Sequence, residues 1–186
     1  MKKLNLQNVN EAGTSQRLPA GGYVCRYTDV VDYPDKEYLY MEYDVIEGEF
    51  KGYYRALKDR AGFWGGKVYR SYKEKALPMF KRMCSAVTKS NKGFIFDGGD
   101  KNSDETTLIG MNVGMVFGEE EYEANNGEIK TRLYVAYECD ADKIRKGDFK
   151  VPDLKTIDRP KEAPTVTGNE GFMQVPDSES AGVPWS

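Results

Sequence analysis

The chain has 186 residues, a formal net charge of -3 at pH 7 and a mean hydropathy of -0.68. This length suits one domain with tails, since domains usually run to about 100–200 residues. No apolar run approaches the roughly 18 residues of a membrane-spanning helix, and residues 1–16 lack the apolar centre of a secretion signal. We therefore expect a cytoplasmic protein that does not contact membranes.

Histidine is absent, which removes the commonest general base near neutral pH and the commonest metal ligand. Cys25, Cys84 and Cys139 are too far apart for a zinc site or a redox pair. We expect three reduced, half-buried thiols, and neither a metal nor another cofactor. The composition favours a binding protein over an enzyme.

Two strands are predicted near the start, over residues 22–33 and 38–48, because both stretches are rich in Tyr and Val. Pro34 and Asp35 favour a turn between them, so the pair should form a hairpin. In the second strand the core face is predicted to consist of Leu39, Met41, Tyr43 and Val45. The opposite face would then consist of Tyr38, Tyr40, Glu42 and Asp44.

The segment 51–92 concentrates the positive charge of the chain. It has 12 basic and two acidic residues, a formal charge of +10, while the rest of the chain carries -13. Seven aromatic residues are interleaved with these cations: Tyr53, Tyr54, Phe63, Trp64, Tyr69, Tyr72 and Phe80. A basic run alone is typical of a solvated surface. Cations for phosphates combined with rings for bases are typical of single-strand binding.

A third strand is predicted within 51–57 or, after the glycines, near 67–70. A helix should follow over about 77–88, where apolar residues recur at helical spacing. The sequence "SYKE" at 71–74 resembles a capping box, although Pro78 would also suit the start of this helix. We favour a regular helix only from about Leu77 to Thr88.

The last two strands should form a hairpin around Asn126-Gly127. On the first of them, Ile109, Met111, Val113, Met115 and Phe117 alternate as a core face. On the returning strand the inward residues should be Ile129, Leu133, Val135 and Tyr137. The outward residues should be Lys130, Arg132 and Tyr134, which repeat the combination of cations and rings.

The predicted order is three strands, one helix and two strands. This order is typical of the OB-fold, a partly open five-stranded barrel that binds oligonucleotides. We therefore expect a mainly β protein: a five-stranded OB-fold-like barrel with one helix between strands 3 and 4. The expected boundaries are an N-terminal arm over 1–18, the barrel over 19–157 and a flexible, disordered acidic tail over 158–186.

Four stretches carry a resemblance to a known family: "YVCRYTDVVDYPDKEYLYMEYDVIEGEFKGYY", "FWGGKVYRSYKEKALPMFKRM", "SNKGF" and "FGEEEYEANNGEIKTRLYV". They resemble phage and prophage replication-module proteins of Gram-positive hosts, which are regarded as single-stranded-DNA-binding-like proteins with an OB-fold. The resemblance covers about residues 19–155. It implies single-stranded DNA binding in replication or recombination, in a bacterial cytoplasm, and provides no catalytic residues.

The C-terminal sequence "VPDSESAGVPWS" is similar to the tails of bacterial single-stranded-DNA-binding proteins. In those tails, acidic residues precede a terminal proline and aromatic residue that recruit replication partners. The matching residues are Asp177, Glu179, Pro184 and Trp185. Two features depart from the pattern: the acids are few, and Ser186 follows the aromatic residue. A tail without any partner is the alternative.

Two other functions remain as alternatives. Pro34-Asp35 and the run from Glu128 to Lys130 are fragments of a signature of Mg²⁺-dependent nucleases, although about ninety residues separate them. A barrel that binds an acidic protein would also explain the basic segment, and homo-oligomerisation stays open.

Single-stranded DNA binding with low sequence specificity is the leading expectation. The predicted phosphate contacts are Arg55, Lys58, Lys67, Arg70, Lys73, Lys130 and Arg132. The predicted base contacts are Tyr53, Tyr54, Trp64, Tyr69, Tyr72 and Tyr134, some of which should instead belong to the core.

Overall fold

The computed structural model describes residues 17–98 and 104–157. The strands in these ranges are β1 (Gly21–Tyr33), β2 (Tyr38–Val45), β3 (Lys67–Ser71), β4 (Asn112–Glu123) and β5 (Ile129–Cys139). The helices are α1 (Tyr53–Ala61), α2 (Leu77–Ser90) and α3 (Ala141–Arg145). No helix in the two ranges is long and apolar enough to cross a membrane. The predictions for residues 1–16 and for the tail, 158–186, lie outside the described residues.

The five strands form one antiparallel sheet in the order β3-β2-β1-β4-β5. The mainly β class, the five strands and a helix between the third and fourth strands are confirmed. Backbone pairing does not close the sheet within the described residues, so β3 and β5 remain its edges. One side chain joins these edges: Arg70 Nε donates to Glu138 Oε1 at 2.6 Å, and the Arg70 guanidinium also donates to the Val135 carbonyl at 3.5 Å.

The first hairpin and its core face are confirmed. A 3-10 turn at Pro34–Lys36 joins β1 to β2, and the four predicted core residues of β2 are each at most 3% exposed. Asp44 was expected on the solvent side but is only 5% exposed. Its carboxylate accepts hydrogen bonds from the backbone nitrogens of Val45 and Tyr54.

The first alternative for the third strand is wrong, because residues 53–61 form α1 and the strand begins at Lys67. The Asp44 carboxylate satisfies a backbone N–H in the first turn of this helix, as a capping residue would. Gly62 ends the helix in the left-handed conformation at φ 76°. The Asp44 contact comes from β2, and Gly62 lies beyond residues 51–57. Neither is apparent from the sequence of the predicted strand alone.

The helix predicted over 77–88 is confirmed as α2, with Pro78 in its first turn. The predicted capping box is wrong: the Ser71 hydroxyl accepts from the backbone nitrogen of Lys73, and a 3-10 turn at Glu74–Ala76 leads into the helix. The buried side of α2, which includes Phe80, Met83 and Val87, packs into the core.

The last hairpin is confirmed, with Gly127 in the turn at φ 80°. In β4, Val113, Met115 and Phe117 are at most 1% exposed, as predicted. Ile109 and Met111 precede the strand; the Ile109 side chain is 41% exposed, and Met111 packs against the core.

A bulge in β5 changes which side chains face the core. Leu133 and Val135 pack against the core as predicted, whereas Ile129, expected inward, is 40% exposed. The register then shifts by one residue, so that Val135 pairs with Phe117 while Tyr137 pairs with Val116. Because a bulge adds one residue to one strand, it reverses the alternation beyond it. Tyr137 therefore lies on the outer face, contrary to prediction, and Glu138 lies on the inner face.

Candidate nucleic-acid interface

The outer side of β1, β2 and β3 has a surface rich in tyrosine, which we call the tyrosine face. The strand register arranges it in three cross-strand rows, because opposed residues of neighbouring strands share one side of a sheet. The rows are Asp29, Glu42 and Lys67; then Val31, Tyr40 and Tyr69; then Tyr33, Tyr38 and Ser71.

The four rings of the tyrosine face form a continuous set of contacts. Ring centroids lie 5.1 Å apart for Tyr33 and Tyr38, 5.6 Å for Tyr38 and Tyr69, and 5.3 Å for Tyr40 and Tyr69. Tyr69 is 54% exposed and Tyr33 41%, whereas Tyr38 and Tyr40 are half-buried. Such a patch of solvent-facing rings offers flat apolar surface to a ligand with flat faces.

The hydroxyl of Tyr40 donates to Glu42 Oε1 at 2.7 Å. Burial and this hydrogen bond raise the pKa of Tyr40, so the phenol stays neutral at physiological pH. The bond also fixes the ring orientation and orients the Glu42 carboxylate. Glu42 and Asp29 lie at the Lys67 end of the tyrosine face, which limits where a phosphate chain could approach.

Exposed cations lie at both ends of β3, in the turn between β1 and β2, and on α1. Lys67 begins β3, Lys73 follows its end by two residues, and Lys36 lies in the turn between β1 and β2. Arg55 and Lys58 are exposed on α1, the element that precedes β3, and Lys58 Nζ lies 5.8 Å from the Trp64 ring centroid. The structure therefore brings four of the predicted phosphate contacts to solvent on β3, on the residues that follow it and on α1.

The cations of segment 51–92 are almost all available to a ligand. Eleven of the twelve are exposed, and the exception is Arg70. Within the described residues the only ion pair of this segment is the one between Arg70 and Glu138. Positive charge that no acid of the fold neutralises can attract a polyanion.

Two predicted contacts are wrong because their side chains lie inside the protein. Tyr54 is 7% exposed and its ring packs edge-on against Tyr43, with centroids 5.3 Å apart. Arg70 pairs with Glu138, and the two side chains are 12% and 0% exposed. Arg70 follows Tyr69 on a strand whose residues alternate between faces, so it lies opposite the solvent side.

Three further aromatic candidates are half-buried and have structural partners. Tyr53 accepts a hydrogen bond from the backbone nitrogen of Leu18, and Trp64 donates its indole N–H to the Gly66 carbonyl at 2.8 Å. The Tyr72 hydroxyl donates to Asp32 at 2.8 Å. Burial, and to a lesser extent this hydrogen bond, raises the pKa of Tyr72 to about 12. All three rings pack against the core, so each presents at most part of its surface.

The three residues predicted to face outward on β5 lie on the other edge strand, and both cations among them already form ion pairs. Lys130 pairs with Glu128 at 3.1 Å and Arg132 with Glu120 at 2.8 Å. Tyr134 has the Lys155 ammonium 3.8 Å from its ring centroid. Tyr134 also lies against Gly118, whose added Cβ would be 3.0 Å from the ring. The structure thus does not bring Lys130, Arg132 and Tyr134 to the tyrosine face.

Sequence reasoning missed Tyr33, Tyr38 and Tyr40 as site residues, although it assigned Tyr38 and Tyr40 to the outer side of their strand. The signal available in the sequence was the alternation itself. It assigns these two tyrosines to a side that faces water, where a group of aromatic residues is unusual. The tail candidates Asp177, Glu179, Pro184 and Trp185 lie outside the described residues.

Among the described residues, no group of three or more acidic or cysteine side chains could hold a metal ion. Asp35 and Glu128, the two acids of the nuclease alternative, lie in different hairpins and are exposed. Comparison of the chain with known protein families finds no matching family model, and comparison with curated proteins finds no significant match.

Proposed function

We propose that this protein binds single-stranded DNA on the tyrosine face, without catalysis and with low sequence preference. The observation that carries the proposal is the exposed set of contacting rings on β1, β2 and β3, with Tyr69 at its centre and unpaired cations beside it. A solvated surface gains nothing from such rings, and a core would bury them.

Binding begins with attraction between phosphates and the exposed cations of segment 51–92, with Lys73 contributing more than Lys67. Bases then stack on the tyrosine rings, which is worth about 1–3 kcal/mol per base. Stacking accepts any base, because every base has a flat face, so sequence preference stays low. Asp29 and Glu42 repel phosphates from one end of the tyrosine face and favour the Lys73 end for the backbone.

We also infer that the open sheet is an OB-fold-like barrel. The support is the order of strands and α2, together with the Arg70 side chain that joins β3 to β5. OB-folds bind oligonucleotides on the face of strands 2 and 3, between the loops that join strands 1 to 2 and strands 4 to 5. The tyrosine face corresponds to that surface. A role in phage or prophage replication or recombination rests on the sequence resemblance.

The test compares a fluorescent single-stranded oligonucleotide with the duplex of the same sequence by anisotropy. Single strands should bind at least tenfold more tightly, because duplex bases are already stacked and do not reach the rings. Equal affinity for both forms would contradict stacking. No binding to either form would favour a protein partner for this face.

A further inference from the structure

One carboxylate lies directly beside the rings of the tyrosine face. Glu42 follows Tyr40 by two residues on the outer side of β2, since alternate residues of a strand share a face. Lys67 is opposite Glu42 on β3, and Tyr69 is opposite Tyr40. Glu42 and Tyr69 are therefore diagonal neighbours, which lie about 7–8 Å apart in a sheet. A base that stacks on Tyr69 has its edge within reach of the Glu42 side chain.

The Glu42 carboxylate is held in place but is not saturated. Its Oε1 accepts a hydrogen bond from the Tyr40 hydroxyl at 2.7 Å, and the side chain is half-buried. Its Oε2 accepts no hydrogen bond from the described residues, and Glu42 forms no ion pair with them. A group that is already oriented loses less freedom when it binds. Oε2 is thus a fixed acceptor at the edge of the stacking surface.

An anionic acceptor in this position distinguishes bases by their edges. A carboxylate accepts hydrogen bonds and donates none. Cytosine presents the N4 amino group, which donates to Glu or Asp side chains, whereas thymine presents the O4 carbonyl oxygen at the same position. The carboxylate attracts the first group and repels the second. Stacking does not make this distinction, because both bases have one ring of the same size.

We propose that Glu42 makes the tyrosine face prefer cytosine to thymine, with the base stacked on Tyr69 and its N4 amino group donating to Glu42 Oε2. The inference rests on the proposed function, because it requires bases on the tyrosine face. Through its hydroxyl, Tyr40 is a positioning residue for the carboxylate. The preference should be about three- to tenfold, as expected for one hydrogen bond formed in exchange for water. It is thus a small addition to binding that otherwise accepts any base.

The test compares fluorescent oligo(dC) and oligo(dT) of equal length by anisotropy, at one salt concentration and mildly alkaline pH. Equal numbers of phosphates make the electrostatic contribution the same for both, and the unsubstituted protein should bind oligo(dC) about three- to tenfold more tightly. Glu42→Gln keeps an oxygen for the Tyr40 hydroxyl, but its amide also donates to thymine O4, so the ratio of affinities should fall to about one. Tyr40→Phe should lower the ratio as well, because the carboxylate loses its orientation.

Glu123→Gln is the matched control. Glu123 is exposed at the end of β4, and its substitution removes the same charge as Glu42→Gln. A change in net charge acts equally on two oligonucleotides of equal length. The ratio of affinities in Glu123→Gln should therefore stay at the value of the unsubstituted protein.

Two results would overturn this inference and leave the proposed function intact. One is oligo(dT) that binds as tightly as oligo(dC), with both weakened by Tyr69→Ala. The other is a preference for oligo(dC) that persists in Glu42→Gln, which would assign it to stacking. No binding of either oligonucleotide would contradict the proposed function itself, and this inference with it.

Discussion

Tyr69 and Tyr54 both belong to the aromatic set that the sequence predicts to contact bases, yet their environments are opposite. Tyr69 is 54% exposed among other outward rings, whereas Tyr54 is 7% exposed. The difference arises from the backbone: Tyr69 lies on the outer face of strand β3, and Tyr54 faces the core from helix α1. The type of residue therefore predicts the chemistry of the site, and the backbone selects which residues take part in it.

Replacing Tyr69 by alanine should weaken single-strand binding by about tenfold, about 1.4 kcal/mol, because one stacking surface is lost. Fluorescence anisotropy measures the affinity. The free energy of unfolding should change little, since more than half of the side chain already contacts water.

Tyr122→Ala provides the matched control. This ring is on β4 and has the Arg132 guanidinium 5.3 Å from its centroid. The substitution removes as many atoms as Tyr69→Ala does, but the affinity should stay unchanged. An equal loss in both variants would mean that the tyrosine face is not the binding surface.

The Arg70–Glu138 pair should matter for stability, not for DNA binding. Glu138→Ala leaves a largely buried guanidinium without its partner, which should lower the free energy of unfolding by about 3–5 kcal/mol. Urea denaturation measures this loss. The double variant Arg70→Met/Glu138→Leu should recover most of the stability, because no buried charge is left unpaired. If the double variant is as unstable as Glu138→Ala, the loss comes from packing and not from charge.

At the scale of elements, two adjacent glycines just before β3, Gly65 and Gly66, differ in what an added side chain would meet. A Cβ on Gly66 would lie 2.2 Å from the Tyr43 carbonyl oxygen, a backbone atom that cannot move without shifting β2. A Cβ on Gly65 would lie 3.0 Å from the end of the Leu57 side chain and 3.5 Å from the Tyr54 ring, which is ordinary contact. Gly66→Ala should therefore lower the free energy of unfolding by at least about 2 kcal/mol, and Gly65→Ala by much less. Chemical denaturation of both variants checks the order, and a loss for Gly66→Ala no larger than that for Gly65→Ala would contradict the close approach of Gly66 to the β2 backbone.

The elements also show which parts of the fold a sequence can predict. The strands, α2 and the Gly127 turn follow from periodicity and turn chemistry, which depend on neighbouring residues. The register shift in β5 does not, because a bulge depends on pairing with a strand that precedes it in the chain. That shift places Glu138 opposite Arg70, so the charged pair between the edge strands was also missed.

At the scale of the whole molecule, ionisation of tyrosine should limit stability at high pH. Burial raises the pKa of Tyr27, Tyr43 and Tyr54, and the pKa values of Tyr23 and Tyr72 rise from 10.0 to about 12. Above about pH 10 the unfolded chain loses protons that the folded protein keeps, so the free energy of unfolding should fall as pH rises. The buried Cys84 thiol, with its pKa raised from 9.0 to about 11, should start the decline near pH 9.

Urea denaturation between pH 8 and 12 would test this pH dependence. Tyr72→Phe should make the decline shallower, because it removes one group whose pKa is raised. A free energy of unfolding that stays constant up to pH 12 would contradict the assignment of these side chains to buried positions.

The sequence predicts where basic residues are concentrated, but it does not predict which of them are free of ion pairs. Segment 51–92 is visibly basic in the sequence, whereas the pairing of Lys130 with Glu128 and of Arg132 with Glu120 depends on the register of β4 and β5. Cations of equal formal charge thus differ in what they offer a polyanion. Lys67 and Lys73 form no ion pair within the described residues, and the two cations of β5 do.

This difference predicts the salt dependence of binding. Each phosphate that the protein neutralises on a single strand contributes about -0.7 to the slope of log affinity against log salt concentration. Contact with about three to five phosphates should therefore give a slope of about -2 to -3.5. Lys73→Gln should reduce its magnitude by about 0.7, and Lys67→Gln by less, because Asp29 and Glu42 share a cross-strand row with Lys67. Lys130→Gln is the matched control and should leave the slope unchanged, because Glu128 already neutralises that lysine. Anisotropy titrations over a series of salt concentrations measure all four proteins, and a slope near zero in the unsubstituted protein would mean that the basic segment does not contact the strand.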